Sequence, residues 1–425
     1  MIHLTVMIEI RGEQTVVGHI DGEDHQTACF SYDESYLVKS DAVPISISLP
    51  LKEEPFNSQS TKCFFDGLLP EGFLRRTVAQ KLHSDENDYI TILSILGREC
   101  LGAILIQDDK IVDSSMGYEK LDPEQVKRLA AEGASKAAEL ITKTHLSLTG
   151  ASGKVGLYRD RDFWYLPKGS APSTHIVKQS HVRLNDIVVN EQLSLMTANA
   201  MGIDIPESQI INVGKGSDAE ILFATTRYDR AVSDHPKMID KLPAPYRLHQ
   251  EDFAQALGIP ASEKYEQEDR GYLKRIFELI RQNSADPLTD QRRMWDRIIF
   301  HLMIGNTDAH IKNASLLYDE TLREIRLAPA YDIISTAIYD ESTREMPFFI
   351  GGEYILDKIG KEHLEKAAET AGIGRKMAMS RLGEMQNSFE AALNASADRL
   401  QENGFDRAGK IRDMILKQAF SRKLQ

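Results

Sequence analysis

Cysteine is scarce in this chain of 425 residues: Cys29, Cys63 and Cys100 are its only three. Odd in number and far apart, they make no CxxC pair and no cysteine–histidine group at zinc spacing, which excludes a disulfide framework and the common structural zinc modules and reads as buried thiols in a reducing compartment. Long apolar runs are also missing. None approaches the roughly eighteen residues of a membrane span, and the segment Met1–Glu13 has neither a basic n-region nor a continuous apolar stretch, so a cytoplasmic location is expected. Positive charge is in deficit, with 51 Lys and Arg against 64 Asp and Glu, a formal charge of −13. Such a chain has no overall attraction for nucleic-acid phosphates or anionic lipid, and a role on DNA would need a basic partner. Internal repeats and low-complexity tracts are absent as well. What remains, at 42% hydrophobic and 27% charged residues, is an ordinary globular composition with length for two or three domains.

Ile2, Leu4, Val6, Ile8 and Ile10 alternate with the residues between them, which predicts a strand, and Arg11-Gly12-Glu13 turns it into a second. Strands are also expected at Cys29–Tyr32, Tyr36–Val38 and Ile45–Leu49, before helical spacing sets in around Phe64–Leu69 and Phe73–Leu82. Residues 1–108 thus form a small mixed α/β subdomain. Residues 109–145 read as a helical connector that starts at Asp122-Pro123. Residues 146–248 read as a β-rich lobe with one helix near Asn190–Met201, and residues 249–425 as a helical lobe interrupted by a hairpin near residue 316. The fold class is α+β.

The chemistry concentrates between Trp295 and Asp332. Trp295, Ile298, Ile299, Leu302 and Met303 share one helical face, Gly305 ends that helix, and Asn306–Asn313 follows as a polar loop. A hairpin then leads through Pro329 to Tyr331-Asp332. Helix, loop, hairpin, aspartate is the element order of a protein-kinase-like, two-lobed core. Asp308 stands five residues before Asn313, the spacing of the kinase catalytic base and its magnesium-binding Asn, and Asp332 matches the second magnesium ligand. Phosphoryl transfer needs hard oxygen ligands to hold Mg²⁺ against an anionic triphosphate and one carboxylate to orient the attacking hydroxyl. Taken singly, these residues are more often turn caps; their joint spacing and element order favour the catalytic reading.

A second candidate is the turn Gly150-Ala151-Ser152-Gly153-Lys154, whose backbone amides suit phosphate. It is not a Walker A loop: a leucine occupies the first glycine position, and Val155 replaces the Ser or Thr. Downstream, Lys178 closes a β-rich run, as the phosphate-neutralising lysine of a kinase does. Glu191 is placed either to pair with Lys178 or on an exposed helix face. Thr226-Arg227-Tyr228 falls where a kinase hinge would bond adenine through its backbone, or is simply the end of a core strand.

With these segments assembled, the chain resembles the HipA family of bacterial toxin kinases. Phe64–Gly72 and Gly97–Ala103 resemble the N-terminal part of that family. Ser147–Lys154, His175–Lys178, Gln250-Glu251-Asp252, Thr307–Asn313 and Tyr331–Ser335 resemble its kinase core. The resemblance implies a Ser/Thr protein kinase that uses ATP and Mg²⁺, with Asp308 as base, Asn313 and Asp332 on the metal, and the glycine loop, Lys178, the hinge, His310, Lys312 and Tyr331 around the nucleotide. It implies autophosphorylation at Ser147, with Ser152 and Thr149 as rival acceptors, which would expel the loop through added negative charge. It also implies a small HipB-like helix-turn-helix antitoxin that brings the chain to DNA indirectly, and a translation component such as glutamyl-tRNA or another aminoacyl-tRNA synthetase as substrate. The chain departs from the family's usual GAQEK and TDGH at Gly150–Lys154 and at Asp308-Ala309-His310. Two rivals stay open: a small-molecule kinase of similar core, and a non-catalytic corepressor that acts only through its antitoxin.

Overall fold

A computed structural model describes residues 2–108, 115–144, 153–180 and 184–418. The N-terminal alternation becomes an antiparallel pair, Ile2–Ile10 with Glu13–Gly22, and Leu4, Val6 and Ile8 point into the core. Cys29–Tyr32 adds to one side of the pair and Ile104–Asp108 to the other. Two further strand expectations fail. Tyr36 and Leu37 lie in the short helix Glu34–Leu37, because the Asp33 side chain caps it by accepting from the Ser35 N–H. Ile45–Leu49 is a turn with a single bridge, Ser46 to Leu49. Its backbone is satisfied by side chains: the Tyr32 hydroxyl accepts from the Ile45 N–H and donates to the Leu49 carbonyl, and Glu251 accepts from the Ile47 N–H. Cys63 and Cys100 are buried and Cys29 only half-buried.

The chain divides into two compact units, residues 1–181, 211–261 and 317–324, and residues 182–210, 262–316 and 325–425. In the first, a second antiparallel sheet runs in the order Gly117–Lys120, Phe163–Lys168, Lys154–Asp160, His175–Gln179, Ile221–Thr226. Helix Pro123–Thr144 lies against it, and Leu129, Leu140, Val155, Leu157, Leu166, Val177 and Leu222 make one core cluster. The helix breaks at Gly133, whose φ of 60° and ψ of −139° suit a residue without Cβ.

A buried set of ions joins Glu9 and Glu99 of the N-terminal part to the segment that follows strand Ile221–Thr226 and to the short pair Arg230–Ala231 with Tyr246–Arg247. Arg227 meets Asp229 at 2.7 Å and Glu99 at 3.1 Å, Arg230 meets Glu99 at 2.8 Å, and Arg247 meets Glu9 at 2.7 Å and Glu99 at 2.5 Å. Burial works against the charge on Glu99, yet the guanidiniums of Arg230, Arg247 and Arg227 hold its carboxyl at about 2. Three arginines against Glu9, Glu99 and Asp229 leave no net charge, the condition on which ions are tolerated in a core.

In the second unit, helix Arg375–Glu402 packs against helices Ile187–Ala200, Pro287–Ile304 and Arg407–Gln418. The Trp295 indole donates to the Ala378 carbonyl at 3.2 Å, and the Phe300 and Phe389 rings meet edge to face. A second hairpin, Glu345–Ile350 with Glu353–Ile355, lies in what the sequence marks as helical. Among the described residues no helix is long and apolar enough to cross a membrane.

Candidate active site

Helix Pro287–Ile304 begins with proline behind the cap Asp286, whose side chain accepts from the Thr289 N–H. It ends at Gly305, in the left-handed region at φ 73°. This is a common helix stop, because a glycine there carries no Cβ penalty. The polar loop that follows is bonded to the segment after Asp332. The Thr307 N–H donates to Thr336 Oγ1 at 2.7 Å, Thr336 Oγ1 donates to the Gly305 carbonyl at 3.2 Å, and the Ala337 N–H donates to the same carbonyl at 2.9 Å. Asn190, fully buried on helix Ile187–Ala200, grips Ser335 from both sides, accepting from its N–H at 3.0 Å and donating to its carbonyl at 2.9 Å.

Within the loop, Asn306 Oδ1 accepts from the Asp308 N–H at 3.0 Å. The Asp308 carbonyl accepts from the His310 N–H at 2.9 Å and from Asn313 Nδ2 at 2.8 Å. Asn313 spends its amide N–H on the loop, which leaves its side-chain oxygen for a metal. His310 and Lys312 are buried; Asn313, Tyr331 and Asp332 are half-buried; the Asp308 side chain is 54% exposed. Asp308 Oδ1 accepts from the Tyr265 hydroxyl. The Tyr331 hydroxyl is engaged with Ser315 Oγ at 2.6 Å and the Lys312 carbonyl at 3.1 Å, so this ring holds the loop rather than presenting a free hydroxyl. Asp332 adopts φ 55°, left-handed for a residue with a Cβ. Such a conformation is more often met at functional sites than elsewhere. Asn313 Oδ1 and the Asp332 carboxylate are hard oxygen donors and suit Mg²⁺. Among the described residues no group of three or more His, Cys, Asp or Glu could hold a metal, so two protein ligands would need phosphate oxygens and water to complete the shell, as Mg²⁺ commonly does.

Of the glycine loop, Gly153 and Lys154 are described and buried; Ser147, Thr149, Gly150, Ala151 and Ser152 lie outside the described residues. Lys154 and Lys178 stand directly opposite each other across the strands Lys154–Asp160 and His175–Gln179, both more than nine-tenths buried. The Lys178 ammonium also lies 5.4 Å from the Phe223 ring centre. The hinge expectation needs correcting at Arg227. Its N–H donates to the Thr174 carbonyl at 2.9 Å, and its guanidinium is locked in the ion set. Glu191 is 3% exposed, not a solvent-facing helix glutamate.

Sequence reasoning missed Tyr265, Asn190 and Thr336. Nothing in their local pattern marks them, since each acts through a partner distant in the chain. Asn190 alone left a trace, a polar residue directly after the apolar run Ile187-Val188-Val189.

A mixed α/β fold with a kinase-like core and a separate N-terminal sheet defines the class. Residues 8–107 match the HipA N-terminal domain, and residues 146–393 match the HipA-like C-terminal domain. The chain belongs to the HipA family. Over 390 residues, 89% of both chains, it is 32% identical to a Sinorhizobium fredii protein named putative kinase Y4mE. It is 23% identical to the serine/threonine-protein kinase toxin HipA of Shewanella oneidensis, over 82% of this chain and 80% of that one. A solved structure of Shewanella oneidensis HipA with HipB and operator DNA has the same fold, at a TM-score of 0.78 and 21% identity, covering 97% of this chain and 96% of that one.

Proposed function

We propose that this chain is a serine/threonine protein kinase that moves the γ-phosphate of ATP onto a protein, and that it acts in the cytoplasm as the toxin of a HipA/HipB-type pair. The observation that carries the reading is the Asp308, Asn313, Asp332 set, in which the Asn313 side chain is bonded to the Asp308 carbonyl at 2.8 Å, within a loop tied at Thr307 to the segment after Asp332. In this reading Asp308 takes the proton of the attacking hydroxyl, while Asn313 and Asp332 hold Mg²⁺, which when bound offsets the charge of the triphosphate. Lys154 and Lys178 counter phosphate charge. His310, Lys312 and Tyr331 shape the loop, and Thr226 and Tyr228 offer backbone groups to adenine.

The switch belongs to the same proposal: phosphate on Ser147, or on its rivals Ser152 and Thr149, would oppose triphosphate binding by like charge. The chain's formal charge of −13 suits a basic helix-turn-helix antitoxin that touches DNA on its behalf. An aminoacyl-tRNA synthetase, glutamyl-tRNA synthetase first, is the acceptor to try. The test incubates purified protein with Mg²⁺ and γ-labelled ATP, alone and with that acceptor. Label on the chain's loop and on a protein acceptor is expected. Label only on a small molecule, or no consumption of ATP, overturns the reading.

A further inference from the structure

We infer that Tyr265 is a positioning residue for the base. The inference rests on the reading of Asp308 given above. Asp308 is fixed through its backbone by Asn306 and Asn313, while its carboxylate is 54% exposed, so its rotamer depends on the hydrogen bonds it makes. The Tyr265 hydroxyl donates to Oδ1. That engages Oδ1, and in this inference Oδ2 is the oxygen that takes the proton of an incoming hydroxyl. His310 lies near the same oxygen, with Nε2 at 3.9 Å, and its ring meets the Tyr265 ring edge to face at 5.1 Å and 87°.

Tyr265 is itself held by its surroundings. The next residue, Glu266, is buried, and its N–H donates to the Pro347 carbonyl at 2.8 Å. Its carboxylate accepts from the Tyr272 N–H and from the Phe349 N–H, both at 3.0 Å. One buried glutamate thus ties the Tyr265 backbone to the start of helix Tyr272–Asn283 and to the hairpin strand Glu345–Ile350. The phenol reaches the carboxylate from a rigid mount, as pre-organisation of a reacting group requires, and a loss of alignment costs turnover more than binding.

Tyr265→Phe keeps the ring against His310 and removes only the hydroxyl. With Mg-ATP and a protein acceptor, or with self-labelling as the readout, kcat is expected to fall about tenfold while the KM values and the melting temperature stay near wild type. A packing role would be fully met by phenylalanine, so this split separates the two. Wild-type turnover of Tyr265→Phe would overturn the inference. Faster turnover would overturn it too, as the mark of a hydroxyl that obstructs the acceptor, and so would phosphate found on Tyr265, as the mark of a substrate. Failure of the underlying reading is seen elsewhere: Asp308→Ala would then retain transfer whatever Tyr265→Phe does.

Discussion

Glu251 sits fully buried among hydrogen-bond donors. Burial lifts its carboxyl to about 7, against the Ser46 and Tyr318 hydroxyls and the Ile47 N–H, which favour the charged form. From its ordinary 4.5 up to that value, the unfolded chain has released the proton and the folded chain has kept it. This group therefore makes folding less favourable as pH rises through that window, by roughly 3 kcal/mol over the whole span. Glu251→Gln removes the titration while keeping the shape. Denaturant unfolding at about pH 5 and about pH 7.5 should show a smaller loss of stability with rising pH in the variant, and an unchanged loss would contradict the assignment. The same residue shows how little of such a network a sequence displays. Gln250-Glu251-Asp252 stands out as a motif, but its partners Ser46 and Tyr318 are 205 and 67 residues away.

At the scale of elements, local physics was readable wherever one segment decides its own shape. Alternation revealed the N-terminal hairpin, and the spacing of Trp295, Ile298, Ile299, Leu302 and Met303 revealed the helix that delivers the loop, with Gly305 as its stop. Legibility ended where side chains from elsewhere satisfy a backbone. Ile45–Leu49 looked like a strand, and Tyr32 and Glu251 made it a turn. Of the candidate site, Asp308, Asn313 and Asp332 could be proposed from the sequence because they stand at the spacing the chemistry asks for; Asn190, Thr336 and Tyr265 could not, because only the folded chain brings them near. Gly305 binds the two descriptions together. An added Cβ would stand 2.9 Å from the Ala337 Cβ, at a φ of 73°. Gly305→Ala should lower stability by about 1–3 kcal/mol and shift Thr307 against Thr336, so that unfolding midpoint and transfer rate fall together. A variant with wild-type stability and turnover would show the stop to be dispensable.

For the molecule as a whole, the ion set of Glu9, Glu99, Arg227, Asp229, Arg230 and Arg247 makes the N-terminal subdomain part of the first unit rather than an appendage. None of this was visible in the sequence, since pairs such as Arg247 with Glu9 lie 238 residues apart. Burial and the surrounding guanidiniums act in opposite directions on Glu99 and Asp229, and the guanidiniums win, leaving both carboxyls below their usual range. Their stabilisation is present above the ordinary carboxylate range and is lost as pH falls toward about 2 for Glu99. Glu99→Gln leaves buried arginines in excess and should cost about 3–5 kcal/mol near neutral pH, read as a lowered urea midpoint. A loss under about 1 kcal/mol would mean the set is solvated and not a true core.

The central claim is that this HipA-family chain transfers phosphate through Asp308, Asn313 and Asp332, and one comparison addresses it most directly. Purified wild type and the Asp308→Ala, Asn313→Ala and Asp332→Ala variants are incubated with Mg²⁺ and γ-labelled ATP, each after its cooperative unfolding has been confirmed. The account predicts label on protein Ser or Thr with the wild type and none with the three variants, because each loses the base or a metal ligand from a polar loop without opening a core cavity. A folded variant that labels protein at the wild-type rate would contradict it.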